Sequence, residues 1–134
     1  MIVVDTNVIA YLFIEGDYSE KAKELLKYDS VWLAPRLWRS EFRSVLSLYM
    51  RKNYLSKNEA LKIINEVESF ISNNEYEVNS FEILELVSQS ECSAYDCEFV
   101  ALAKRLDVEF YTSDKKVLSQ FPEIATSLKE FNKG

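Results

Sequence analysis

The chain contains no histidine, and only two glycines, two prolines and two cysteines among its 134 residues. Without histidine, the commonest general base at neutral pH and the commonest metal ligand are missing. Gly16 and Gly134 cannot build a phosphate-cradling GxGxxG turn or a P-loop. Cys92 and Cys97 form neither a CxxC pair nor a zinc framework, which points to a reducing compartment. No apolar run approaches the roughly 20 residues of a membrane span. The opening residues also lack the basic stretch and small-residue cleavage site of a signal peptide. The expectation is a cytoplasmic protein with no membrane segment. Net charge is −6, which argues against broad electrostatic binding of nucleic acid but leaves room for a local basic face. Any catalysis has to run on carboxylates, hydroxyls, lysines or thiols.

What is present suits one globular domain over residues 1–134, with 48% hydrophobic and 28% charged residues. The chain is organised around its first seven residues. Ile2-Val3-Val4 is an apolar β-branched run without alternation, as expected of a strand buried on both faces. Asp5-Thr6-Asn7 ends it, and Val8 to Phe13 then has the length and character to begin a helix. A strand feeding directly into a helix opens an α/β unit, whose ligands gather at the carboxyl ends of the strands. Asp5 stands at that end. Taken alone, Asp5 or Thr6 is explained as a helix cap.

Further along, Ser19 is positioned to cap a helix over 20–28, and Val31 to Ala34 reads as a second buried strand stopped by Pro35. A helix over 36–52 follows. At about 100° per residue, Trp38, Phe42, Val45 and Tyr49 fall on one stripe, while Arg36, Arg39 and Arg43 share the opposite, solvated side. Glu41 lands on the core-facing side, where an unpaired charge costs several kcal/mol, on the order of the penalty for a buried ion. It is either held in an internal ion pair or aimed into a polar site. Ser56-Lys57-Asn58-Glu59 has the form of a capping box for a helix reaching Phe70 or Ile71. A short strand near 76–78 and a helix over 81–90 come next. Ser93 caps a helix reaching Leu106, which carries Asp96 on its inward side. Val108 to Thr112 is the last convincing strand, and Asp114 lies just past its end before a short helix. Beyond Pro122 the chain reads as a polar tail with one apolar patch, Ile124, Leu128 and Phe131.

Asp5, Glu41, Asp96 and Asp114 therefore point toward one end of a parallel sheet. Carboxylates converging there repel one another unless a cation lies between them. Oxygen ligands without His or Cys suit Mg²⁺ or Mn²⁺ and disfavour zinc or copper. Such a site suits phosphodiester hydrolysis, because a bound metal activates water and offsets transition-state charge.

Four segments, in order, resemble the PIN-domain family, and especially its VapC-type toxin ribonucleases. They are Val3-Val4-Asp5-Thr6-Asn7-Val8-Ile9, Ser40-Glu41-Phe42, the run from Tyr95-Asp96 to Leu102-Ala103, and Thr112-Ser113-Asp114. The resemblance covers almost the whole chain and implies an α/β/α sandwich on a mainly parallel sheet. It also implies Mg²⁺- or Mn²⁺-dependent endoribonuclease activity, an RNA substrate, a VapB-like antitoxin partner and a homodimer. The family's acidic positions fall on Asp5, Glu41, Asp96 and Asp114, with Asn7 and Thr112 as supporting polar groups. Two departures are Asp107, where relatives often carry Gly, and Ser113, in a commonly apolar slot. Two alternatives remain: a PIN nuclease of RNA processing or decay, and a PIN scaffold that binds RNA or protein without cutting. A haloacid-dehalogenase-like phosphatase would need a second Asp where Asn7 stands.

Overall fold

In a computed structural model describing residues 1–132, the expected sandwich forms around a five-stranded sheet with strand order β3-β2-β1-β4-β5. The strands are β1 (Ile2–Val4), β2 (Trp32–Pro35), β3 (Glu75–Tyr76), β4 (Phe110–Thr112) and β5 (Ala125–Ser127), and every pairing is parallel. The described helices are α1 (Thr6–Phe13), α2 (Ser19–Tyr28), α3 (Trp38–Arg51), α4 (Lys57–Ile71), α5 (Ser80–Ser88), α6 (Ala94–Leu106) and α7 (Lys115–Gln120). Parallel strands buried on both faces need unbroken apolar residues, and β1, β2 and β4 are buried throughout. β1 is central. It pairs with β2 through Ile2 and Val3, and with β4 through Val3 and Val4. The ends of β1 and β4 are thereby neighbours, and the ladder continues one step further through Asp5 N–H to the Tyr111 carbonyl at 3.0 Å.

Local signals hold where the chain solves its own hydrogen bonding. Ser56 and Glu59 make both bonds of the capping box ahead of α4. Ser93 accepts from Asp96 N–H at the start of α6. Elsewhere packing overrides them. Ser19 lies inside α2 instead of capping it: its buried hydroxyl accepts from Gly16 N–H and donates to the Ile14 carbonyl, closing the turn before the helix. Pro35 belongs to β2. The N–H groups of Ala34 and Arg36 carry the bonds to the Asn74 and Tyr76 carbonyls, so the proline between them withdraws none. The supposed polar tail supplies β5, and Leu128 and Phe131 behind it are buried, with Phe131 edge-on to both Tyr28 and Tyr111.

The arginine stripe of α3 is also corrected at one position. Arg39 is not solvated: it forms a fork on Glu75 (Nε to Oε2 2.6 Å, Nη2 to Oε1 2.8 Å) and reaches Glu68 at 3.0 Å. Trp38 Nε1–H donates to the same Glu75 at 2.8 Å, so one carboxylate ties β3 to α3, and Arg39 ties both to α4.

Candidate active site

The strand-to-helix turn after β1 fixes the first acid. Asp5 Oδ1 accepts from Thr6 N–H at 2.8 Å, the capping bond expected of an Asp here. Its Oδ2 is used differently. The buried Thr112 hydroxyl, at the end of β4, donates to it at 2.7 Å. Thr112 Oγ1 in turn accepts from Asp114 N–H at 3.0 Å and from Asn7 Nδ2 at 3.5 Å, while Asn7 Oδ1 accepts from Ser113 N–H at 3.3 Å. Thus Asp5, Asn7, Thr112 and the Asp114 backbone form one hydrogen-bonded unit across the ends of the two central strands. Asp114 caps α7 as well, with Oδ1 alone accepting from Lys116 and Val117 N–H.

Glu41 joins from α3. No ion pair involves it among the described residues; its partner is the Thr6 hydroxyl, donating to Oε1 at 2.7 Å. The reading of Glu41 as half of an internal salt bridge is therefore not what the fold adopts. Thr6 is a residue that sequence reasoning passed over as a cap. Its backbone N–H holds Asp5 while its hydroxyl holds Glu41, 35 residues further along the chain, and adjacency to Asp5 was the only signal available.

Electrostatics bind the four acids further. Burial raises the Asp5 carboxyl to about 7, against the pull of Thr112 and Thr6, and the charges of Glu41 and Asp96 push in the same direction. Burial also raises Glu41, with Asp96 and Glu98 adding to it. Asp96 is raised by burial and then by Asp114, while Ser93 and Lys116 oppose the shift. Each acid is thus in the field of at least one other. Glu98, also raised by burial, extends the acidic surface from α6 toward Glu77. A helical wheel puts Glu98 about 200° from Asp96, on the far side of α6, so its place beside Glu41 was not legible. Among the described residues, no three acidic or thiol side chains form a ready-made metal cage.

The sequence matches the PIN domain family over residues 2–124. It is 26% identical over 130 residues to ribonuclease VapC3 of Pyrobaculum aerophilum, covering 93% of this chain and 98% of that protein. The fold is similar to that of FitAcB from Neisseria gonorrhoeae, with TM-score 0.75 and 16% identity over 98% of this chain and 100% of that one. It is also similar to a toxin-antitoxin complex from Klebsiella pneumoniae, with TM-score 0.67 and 16% identity over the same shares of the two chains, 98% and 100%.

Proposed function

Because this chain belongs to the PIN domain family, we propose that it is an Mg²⁺- or Mn²⁺-dependent endoribonuclease, the toxin of a VapBC-type toxin–antitoxin pair. The observation that carries this reading is Asp5, a half-buried carboxyl whose pKa is raised to about 7 beside Glu41 and Asp96, with no cationic side chain paired to it among the described residues. Proteins pair buried charges or use them, and pKa values displaced this far cluster at functional sites.

The donor set fits a hard divalent cation. It is all oxygen and contains no imidazole, and both thiols are buried. Mg²⁺ retains several waters and takes one or two protein carboxylates directly, so it does not require a closed three-ligand protein cage. Asp5, Glu41, Asp96 and Asp114 would hold it, directly or through its waters. Once bound, such a cation lowers the pKa of a water and offsets charge on the phosphoryl group. The chain's own residues do the rest. Thr112 orients Asp5, Thr6 orients Glu41, and Asn7 locks the turn that carries Asp114. With no histidine in the chain, a proton leaving the attacking water would pass to a carboxylate of this cluster that does not hold the cation directly.

Purified protein incubated with RNA and Mg²⁺ or Mn²⁺ is expected to cut it, and to stop on chelation. Asp5→Asn should slow cleavage on the order of 10³-fold, the several kcal/mol typical of metal-assisted charge stabilisation. Cleavage that survives both chelation and Asp5→Asn would overturn the assignment. Metal binding should also raise the melting temperature of the wild type more than that of Asp5→Asn. The antitoxin partner is supported by the likeness to the Klebsiella complex, and a short neighbouring reading frame whose product copurifies with the chain would establish it. A homodimer is supported by exposed apolar side chains including Phe81, Leu84 and Tyr54. Light scattering at micromolar concentration tests it.

A further inference from the structure

A cleft of about 600 Å³ lies between α7 and the outer strand β5, beside the acids but sharing none of the four. That volume is within the range of small-molecule sites, roughly 300–1,000 Å³. Ser113 and Lys115, which bracket Asp114 in sequence, line it together with Thr126, Ser127, Lys129 and Glu130. We propose that this cleft seats a nucleotide of single-stranded RNA flanking the scissile bond, with Lys115 and Lys129 on its phosphates. The inference rests on the nuclease reading of the neighbouring acids.

Three observations converge on it. In a chain of net charge −6, two cations line this cleft, and neither has a carboxylate within ion-pair distance among the described residues. Lys129 is held in place by the Tyr18 ring, with its Nζ 4.8 Å from the ring centre. Thr126 and Ser127 add hydroxyls, the group most suited, with lysine, to phosphate and 2′-hydroxyl oxygens. The cleft also continues the acid unit, since Ser113 N–H is bonded to Asn7 and Asp114 N–H to Thr112. A strand leaving the acids past Asp114 meets Lys115 next.

The test uses the whole protein in chelator, so that nothing is cut, and a short fluorescein-labelled single-stranded RNA followed by anisotropy over a salt series. Replacing both cations (Lys115→Gln with Lys129→Gln) is expected to weaken binding at least tenfold. It should also flatten the slope of log affinity against log salt by about 1.4, roughly 0.7 for each phosphate left without its lysine. The same charge change elsewhere, Lys52→Gln with Lys62→Gln, should move both far less. With metal restored, the Lys115/Lys129 pair should raise KM with little change in kcat. Wild-type affinity and slope in that double variant would overturn the proposal even if the enzyme cuts RNA, leaving the nuclease reading intact. Lysine-dependent binding without any cleavage would overturn the nuclease reading and, with it, the scissile-bond placement. An acidic peptide bound through these lysines while RNA is not would give the cleft to a protein partner instead.

Discussion

Two half-buried carboxylates in this molecule meet opposite fates. Glu75, with only 6% of its side chain exposed, is gripped by the Arg39 guanidinium and the Trp38 indole and is pulled below the ordinary glutamate range. Asp5 has only a hydroxyl and a backbone N–H to hold it, faces other acids, and is pushed up to about 7. Both sit at carboxyl ends of strands or in strands of the same sheet. The difference is the partner. A buried charge with a fixed cation serves the architecture, joining α3, α4 and β3. A carboxyl left among its own sign instead holds its proton to higher pH.

The contrast predicts opposite responses to pH in metal-free protein. The folded state keeps a proton on Asp5 that the unfolded chain releases near 3.8, so stability should decline as pH rises from about 4 to about 7. The full shift, about three pH units, corresponds to at most about 4 kcal/mol. Asp5→Asn should remove that decline. Glu75 acts the other way: its stabilisation is present above the ordinary glutamate range and is lost as pH falls below it. Denaturant unfolding in chelator at pH 3, 5 and 8 separates the two, and a wild type no less stable at pH 8 than at pH 5 would break the comparison.

Next in size is the clamp itself. Arg39→Met leaves Glu75 buried without its cation and should cost about 3 kcal/mol, toward the low end for a broken buried pair because Arg39 keeps 23% of its side chain exposed. Asp5→Asn, measured beside it in chelator at pH 8, should cost nothing or stabilise. Equal losses would mean that the two carboxylates do the same work.

The smallest effect sharpens the boundary between architecture and site. Thr6→Val removes the only hydrogen-bond donor to Glu41 among the described residues and should cost about 1 kcal/mol in stability. It should also move the acidic limb of a cleavage–pH profile upward, since the hydroxyl is what lowers Glu41. An unchanged profile with the stability loss intact would make Thr6 purely structural.

The placement of the candidate acids in the fold was more legible in the sequence than the edges of the fold. Asp5 and Asp114 were marked by abrupt ends of β-branched or aromatic strands, and Glu41 by an acid on an apolar stripe. Each of these is a conflict visible within a dozen residues. Capping signals at Ser56 and Ser93 are local in the same way, and they held. What stayed hidden needed partners distant in sequence. β5 is three residues after a proline, with no alternation to announce it, and exists because Phe110 to Thr112 offers an open edge. Arg39 looked solvated because Glu75, its partner, lies 36 residues away. Thr6 and Glu98 could not be placed beside Glu41 before α1, α3 and α6 were packed together. Asp107 adopts a left-handed backbone (φ 54°) at the end of α6, the conformation that makes glycine common at such positions.

The central place of β1 has a consequence for the order of events during synthesis. Its partners are residues 32–33 on one side and 110–111 on the other, so within this sheet β1 is made before either neighbour and waits for about a hundred residues before its second edge is covered. The acid cluster is split the same way, between position 5 and position 114. Such pairings are slow to close and leave apolar surface open in the interval. No truncated nascent product ending before β4 can give Asp5 its bond from Thr112, so a half-made chain lacks the setting in which the acids repel one another.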